Sequence, residues 1–249
     1  AQLRSKLETL KLEANTIIIF TSDHGLFMGE FGLGGKALCY EKTTHVPLII
    51  YDPTLAKSKR SGTNHALVQS IDIAPTMLAK AGIDIPKTFQ GKDLNPLLNR
   101  QVDSVRRYLF TENLWSTHFG NPRCESIKDQ SWKYIRYYEN HNLSATKKIA
   151  LAKQLGIKVN RLLYGFHDED IVRYREYVEA PLAGEKVVYE ELYHLAEDPD
   201  EVYNLVDNPR YQQTLERLRA AWAVAIKTAR GSGAPQVLRY TVESRMENK

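Results

Sequence analysis

Long hydrophobic runs and a strong excess of one charge are both lacking in this sequence of 249 residues. The longest apolar run, Ile17–Phe20, is far shorter than the roughly 20 residues that a membrane-spanning helix needs. Lys and Arg number 34 against 30 Asp and Glu, which leaves a formal net charge of +4. No long block of like charges accompanies that balance. The sequence therefore predicts neither a membrane span nor a nucleic-acid partner.

Cysteine is also scarce, with Cys39 and Cys124 as the only two. They show neither the spacing of a metal site nor the number that a disulfide framework requires, so the redox compartment stays open. Residues 1–15 lack the apolar centre and the small-residue cleavage site of a signal peptide. Because the chain begins with Ala1 and not with Met, this absence carries no prediction about export.

What the sequence does contain is a pattern of helices and strands with a hydrophobic fraction of 43%, enough for a buried core. Leucines in residues 3–14 recur at i, i+4 and i+7, which predicts a helix with one buried stripe that stops at Asn15. The β-branched run Thr16–Thr21 predicts a strand covered on both faces in a parallel or mixed α/β sheet. Val46–Tyr51 predicts a second buried strand, and Gln69–Ala81 a helix that Asp72 caps.

The character of the chain changes after Asn99, where short strand candidates separated by turns predict an antiparallel sheet. These candidates are Tyr108–Thr111, Glu125–Lys128, Trp132–Tyr138 and Glu190–Leu195. Tyr211–Ala229 is a strongly amphipathic helix that can pack on such a sheet. We therefore predict an α/β unit over residues 1–103 and a small α+β unit over 104–249, with a helical insertion near 140–188.

The predicted α/β unit is too small to be complete. Buried strands need neighbours on both edges and helices on both faces, and residues 1–103 supply few of either. We expect either a longer polypeptide that continues before Ala1 or a second chain that completes the sheet, and we favour the longer polypeptide.

The densest group of reactive residues follows the first predicted strand. Asp23 offers a hard anionic oxygen for a divalent cation, and His24 can ligate a cation or donate to an oxyanion. A loop with five glycines in residues 25–35 then leads to Lys36, a mobile positive charge suited to a sulfate or phosphate oxygen. Taken singly, the Asp-His pair is more often a cap or turn, and the lysine more often a solvated side chain. Their joint position beyond a strand end, where α/β sheets bind ligands, makes them a candidate site.

These residues and several later motifs resemble the type I sulfatases of the alkaline phosphatase superfamily. The matching segments are Ser22-Asp23-His24-Gly25, Gly29-Glu30, Gly35-Lys36, Tyr40-Glu41 and 44–49, then 72–78, 81–83, 90–94, 132–135, 191–195, 198–201 and 204–205. They cover most of the chain outside the predicted insertion. The resemblance implies an α/β fold in which the C-terminal part of an alkaline-phosphatase-like mixed-sheet domain precedes a small α+β domain with an antiparallel sheet and a packed helix.

The resemblance further implies hydrolysis of sulfate monoesters by a formylglycine, made from a cysteine or serine. Asp23 and His24 would be two ligands of a calcium ion, and Lys36 would contact the sulfate. The family's modification motif, Cys or Ser followed by x-Pro-x-Arg, occurs at neither Cys39 nor Cys124. We therefore expect the formylglycine on a missing N-terminal half, and we expect this chain alone to be inactive.

Three further positions matter less. The resemblance would let His118 reach the substrate from a loop of the second domain, although a surface histidine is the simpler interpretation. His45 follows Glu41 by four residues, so the two can pair on one helical face, in a structural role or as a substrate contact. Phe31 stands where many relatives have histidine.

The expected substrate is a sulfated carbohydrate or a small sulfate ester, and the resemblance implies export from the cytoplasm. An oligomer is compatible with the sequence. Two rival hypotheses remain: a phosphate mono- or diester hydrolase of the same superfamily, and a binding or structural subunit that has the fold without catalysis.

Overall fold

The computed structural model describes residues 2–36, 38–113, 123–138, 149–150, 153–154 and 187–230. Its α-helices are α1 (Gln2–Thr9), α2 (Glu41–Thr44), α3 (Ile73–Lys80), α4 (Asn95–Leu98) and α5 (Gln212–Arg230). Its strands are β1 (Ile18–Thr21), β2 (Phe27–Met28), β3 (Gly34–Gly35), β4 (Leu48–Tyr51), β5 (Leu109–Asn113), β6 (Arg123–Lys128), β7 (Trp132–Tyr138) and β8 (Val187–His194). Within these ranges no helix combines the length and the hydrophobicity needed to span a bilayer.

The two strands predicted in the first unit are present as β1 and β4, and they pair with each other antiparallel. Phe20 lies opposite Ile49 in this pair, and both side chains are 60% exposed. The prediction that these strands are covered on both faces is therefore wrong for the part of the chain that the structure describes. An apolar pattern predicts that both faces of a strand can be buried, but it does not specify which element buries them.

Helix α1 differs from its prediction in both length and burial. It ends at Thr9, and Lys11 then adopts a left-handed conformation (φ 57°) before a 3₁₀ turn at Glu13–Asn15. No residue of α1 is buried, and Leu3 is 60% exposed, so the predicted buried stripe is wrong. Leucine spacing identified a helix but could not identify a surface for it to pack against.

Helix α3 begins as predicted on a well-anchored turn. Residues Ser70–Asp72 form a 3₁₀ turn that continues into α3, and Gly82, at φ 71°, follows its end. The fully buried Asp72 carboxylate accepts hydrogen bonds from the backbone N–H groups of Gln69 and Lys92, each at 2.7 Å. The same carboxylate pairs with both terminal nitrogens of the Arg106 guanidinium. The Asp72 carboxylate therefore anchors the turn that precedes α3 and joins it to residues far along the chain. It accepts no hydrogen bond from the first turn of α3 itself, so the predicted side-chain cap on this helix is wrong.

The second half of the chain forms a four-stranded antiparallel sheet in the order β5-β6-β7-β8. All four predicted strands are found there, and the predicted amphipathic helix is α5. The helix packs on the sheet through buried residues of both elements, namely Ile127, Tyr134, Leu192, Leu215 and Leu218. The predicted combination of antiparallel sheet and packed helix is confirmed.

Parts of the domain prediction are not tested. In the predicted insertion at 140–188, residues 149–150 and 153–154 are helical, and β8 begins at Val187. The rest of that segment lies outside the described residues, and this includes the remainder of the predicted helix at 144–155 and all of the one at 168–177. The boundary between residues 103 and 104 stays a prediction.

A buried ion network joins the first half of the chain to the sheet. The Glu41 carboxylate on α2 pairs with Lys128 Nζ at 2.8 Å and with Lys133 Nζ at 3.0 Å. Lys133 also pairs with Glu201 at 3.0 Å, and the Glu41 backbone N–H donates to Glu201 Oε2 at 2.5 Å. The side chains of Lys133 and Glu201 are almost fully buried. Because Lys128 belongs to β6 and Lys133 to β7, this network attaches α2 to both strands.

Candidate functional site

The end of β1 carries the predicted pair Asp23 and His24, and Gly25 allows the chain to turn there. A Cβ atom at Gly25 would lie 2.0 Å from the carbonyl oxygen of Lys42. The Gly25 N–H donates to the Thr43 carbonyl at 2.9 Å, which fixes this turn against α2. The strand end and α2 therefore approach more closely than any side chain at residue 25 would permit.

His24 is oriented by hydrogen bonds on both sides of its ring. Its Nδ1 lies 3.0 Å from the carbonyl oxygen of Gly25, a contact that requires the ring proton on Nδ1. The Nε2 lone pair is then directed away from the backbone, 3.1 Å from Asp23 Oδ2 and 2.5 Å from Lys36 Nζ. Lys36 can donate to this lone pair, and a cation could replace it there.

Lys36 reaches His24 because the glycine-rich loop folds back on itself. Strands β2 and β3 pair antiparallel, with Phe27 opposite Gly35 and Met28 opposite Gly34. Gly29 adopts φ 121°, a conformation that glycine tolerates far better than other residues. The hairpin therefore closes the separation of twelve residues between His24 and Lys36.

Phe31 has a structural environment in this hairpin. Its ring lies 5.5 Å from the Tyr40 ring and 6.2 Å from the Phe27 ring, measured between centroids. Its backbone is left-handed, with φ 56°. The departure from the family pattern at residue 31 therefore places an aromatic side chain against two other rings.

The Asp23 carboxylate is held in its charged form. Desolvation acts to raise its pKa, but the hydrogen bond from the backbone N–H of His24, the neighbouring imidazole and the positive charge of Lys36 lower the pKa on balance. Its side chain is 81% exposed, so both oxygens remain accessible. Asp23 can therefore offer an anionic oxygen at neutral pH.

Asp23, His24 and Lys36 line one open cleft of about 1720 Å³ between the first half of the chain and the sheet. The structure thus brings the three predicted side chains together. Other lining residues come from distant segments and were not predicted; they include His65, Asn113, Lys128 and Gln130. No local motif marks these four residues, because only the packing of the sheet against the first half of the chain brings them to the cleft.

Glu41 and His45 also line the cleft, and their predicted pairing is confirmed. His45 Nδ1 lies 3.4 Å from Glu41 Oε2. Although burial alone would raise the pKa of Glu41, the positive charges of Lys133 and Lys128 lower it to about 2. Glu41 therefore stays ionised, and its charge is already balanced by lysines of the sheet.

The two predicted cation ligands fit part of a calcium site. Calcium takes six to eight ligands, mostly oxygen. Asp23 supplies such an oxygen next to the Nε2 lone pair of His24, which Lys36 occupies in this structure. Among the described residues, no group of three or more His, Cys, Asp or Glu side chains is arranged to hold a metal ion. The remaining ligands would have to come from other residues. His118 lies outside the described residues, so its predicted role is not tested.

Comparison with known proteins shows which proteins this chain is similar to. Residues 29–148 match the family model described as "N-sulphoglucosamine sulphohydrolase, C-terminal". An N-acetylglucosamine-6-O-sulfatase of Bacteroides thetaiotaomicron is 32% identical over 143 residues, which is 56% of this chain and 25% of that protein. In sequence the chain is similar to the C-terminal part of proteins named as sulfatases. It spans about a quarter of the length of this relative.

Solved structures share the fold of this chain. A protein in complex with its substrate D-glucosamine-2-N,6-O-disulfate superimposes with a TM-score of 0.69 at 23% identity, covering 95% of this chain and 39% of that one. The phosphonate monoester hydrolase of Agrobacterium radiobacter has a TM-score of 0.61 at 21% identity, covering 96% and 40%. The sequence resemblance to sulfatases and the expected fold class are thereby confirmed.

Proposed function

We propose that the protein containing this chain hydrolyses sulfate monoesters of a carbohydrate, and that this chain supplies one side of its active site. The observation that carries the proposal is the convergence of Asp23, His24 and Lys36 in one cleft of a chain that is similar to sulfatases. The matched relative is named as a sulfatase of an amino sugar, which supports a sulfated carbohydrate as substrate.

In this proposal Lys36 binds the sulfate group and stabilises negative charge as the ester bond breaks. Its ammonium group lies 2.5 Å from His24 Nε2 and faces the open cleft. A fixed donor of this kind acts on the charge that develops in the transition state, so it lowers the barrier and not only the dissociation constant.

Asp23 and His24 would hold a calcium ion together with residues outside the described part of the chain. When bound, the ion would neutralise sulfate oxygens and polarise the nucleophile, which we expect to be a formylglycine before Ala1. The Nδ1–H group of His24 donates a hydrogen bond to the Gly25 carbonyl oxygen. Because this contact keeps the ring proton on Nδ1, Nε2 stays available as a ligand.

Replacement of Lys36 tests the catalytic part of the proposal. In the full-length protein we expect Lys36→Ala to reduce kcat for an aryl sulfate or glucosamine 6-sulfate by about 100-fold or more, the cost typical of one lost donor. The matched control is Lys57→Ala, because Lys57 is exposed on a separate 3₁₀ turn. Equal rates for wild type and Lys36→Ala would remove Lys36 from the site.

Calorimetry tests the calcium part without any activity measurement. We expect Asp23→Ala to abolish measurable calcium binding by the full-length protein, since the site loses its anionic oxygen. Asp93→Ala serves as the control, because that carboxylate accepts hydrogen bonds from Asn95 and is not among the residues that line the cleft. Wild-type affinity in Asp23→Ala would show that Asp23 is not a ligand.

The phosphonate monoester hydrolase with the same fold keeps one rival open. Parallel assays of the full-length protein with sulfate, phosphate and phosphonate esters of one alcohol distinguish the activities. We expect kcat/KM to be highest for the sulfate ester. A preference for the phosphonate ester would favour the rival hydrolase, and turnover of none of the esters would favour the binding subunit.

We also propose that the protein is exported and that an N-terminal half of the same polypeptide covers the exposed face of β1 and β4. Phe20 and Ile49 lie side by side on that face and are 60% exposed. Cell fractionation of the native protein, combined with sequencing of its coding region, tests both statements.

A further inference from the structure

Two thiols from distant parts of the chain meet in the interior. Cys39 is 1% exposed and Cys124 is fully buried. Their Sγ atoms lie 3.4 Å apart, although the residues are separated by 85 positions in the sequence. Neither cysteine forms a disulfide bond in the structure.

The surroundings hold both thiols in place. Cys124 is in β6, opposite Asn113 of β5 and Tyr137 of β7. Cys39 lies between Lys36 and α2, and its Sγ is 3.9 Å from the Thr111 carbonyl. Ile135, Tyr137 and Tyr193 pack around the pair. Such packing limits the directions in which either sulfur can move.

We propose that Cys39 and Cys124 form a disulfide bond that joins the Lys36 segment to the second-half sheet. A disulfide requires sulfur atoms about 2.05 Å apart, so the observed separation must close by roughly 1.4 Å. Rotation of the two side chains about their Cα–Cβ bonds is the movement that would close this gap. Among the described residues no third His, Cys, Asp or Glu completes a metal site with these thiols.

The oxidation balances as a thiol–disulfide exchange with a disulfide oxidant, either a protein oxidase or an oxidised small thiol. One cysteine, as its thiolate, attacks the oxidant's sulfur and forms a mixed disulfide. The other cysteine then attacks the first, forms the internal S–S bond and releases the oxidant in its reduced form, as a dithiol from a protein oxidase or as two thiol molecules from an oxidised small thiol. Two electrons and two protons pass from the cysteines to the oxidant. Because both sulfurs are buried, the exchange takes place before the sheet closes over Cys39.

The bond would affect both stability and the cleft. It would close a loop of 85 residues, and closing a loop of this length lowers the entropy of the unfolded chain. Cys39 follows Lys36 by three residues, so the bond would also anchor the lysine segment to β6. The inference relies on the proposed export for an oxidising environment, but not on catalysis.

Peptide mapping of the wild-type, full-length protein from its native host tests the bond directly. The protein is denatured with an alkylating reagent, without reductant, and digested with trypsin. Trypsin releases Cys39 in the peptide Ala37–Lys42 and Cys124 in the peptide Cys124–Lys128. We expect one species with the summed mass of the two peptides less two hydrogen atoms, which separates after reduction.

Two separate alkylated peptides, or either peptide joined to a different cysteine, would overturn the proposal. This result is independent of sulfatase activity, so it cannot be confused with failure of the proposed function. As a second measurement, reductant should lower the urea midpoint of the wild type but leave that of the double variant Cys39→Ala/Cys124→Ala unchanged. An equal shift in both proteins would contradict the stabilising role.

Discussion

At the scale of single residues, Gly25 determines how closely the end of β1 approaches α2. Any Cβ at this position would overlap the Lys42 carbonyl, at 2.0 Å. We predict that Gly25→Ala destabilises the fold by about 2 kcal/mol or more, because backbone must move to admit the methyl group. Urea unfolding of the full-length protein measures the change.

Gly34→Ala is the matched control, because nothing lies within 4 Å of the Cβ that it would introduce. We expect its free energy of unfolding to stay close to that of the wild type. If Gly25→Ala were as stable as Gly34→Ala, the close approach at the strand end would not exist in solution.

The imidazole of His24 illustrates how one residue can be prepared for binding by its backbone. Its Nδ1 is occupied by the carbonyl of the next residue, and this leaves a single nitrogen for Lys36 or for a cation. This geometry explains why the candidate site needs Asp23, His24 and Gly25 in direct succession. Any one of these residues alone would not predict a binding site.

At the scale of elements, the attachment of α2 to the sheet depends on the ionised form of Glu41. Lysine charges lower the pKa of Glu41 to about 2 from its ordinary value of 4.5. A carboxylate with a lowered pKa stabilises the fold above its unfolded pKa and loses that contribution as the pH falls through the folded one. The window of loss therefore runs from pH 4.5 down to about 2.

We predict that Glu41→Gln lowers the free energy of unfolding by about 3 kcal/mol at neutral pH, as the drop in pKa implies. The difference from the wild type should shrink steadily below pH 4.5. Urea titrations across this range provide the measurement. Glu197→Gln is the control, since Glu197 forms an exposed pair with His194 and exposed pairs contribute little. A deficit that does not change with pH would contradict the ionic role.

Strand positions could be predicted from sequence more reliably than strand surroundings. Two local signals predicted elements that the structure contains. The turns between β5 and β8 predicted the antiparallel sheet, and the spacing of Leu215 and Leu218 predicted helix α5. The direction in which β1 pairs and the exposure of Leu3 depend on neighbours that local spacing does not specify. For the same reason the sequence could not show that Cys39 meets Cys124.

At the scale of the whole molecule, the chain contains only one side of the proposed active site. The modification motif of sulfatases occurs at neither of its cysteines, and its described residues provide two of the cation ligands that we propose. We predict that the isolated chain shows no turnover of an aryl sulfate above buffer, while the full-length protein does. Detectable hydrolysis by the chain alone, in a preparation verified by mass spectrometry, would show that it carries its own nucleophile.

The candidate site could be predicted from the sequence because its three side chains follow one strand and one loop. Asp23, His24 and Lys36 lie within fourteen consecutive residues, so a single hairpin is enough to bring them together. The opposite wall of the cleft could not be predicted in this way, because Lys128 and Gln130 lie more than ninety residues after Lys36 in the sequence.

Glu41 belongs both to the cleft wall and to the ion network that attaches α2 to the sheet. A substitution of Glu41 selected for a new substrate would therefore change the stability of the fold as well as the substrate specificity. The two properties could not be changed independently at residue 41. Directed evolution of the cleft should leave this glutamate fixed and diversify positions such as His65 or Asn113, whose side chains line the same space from other elements.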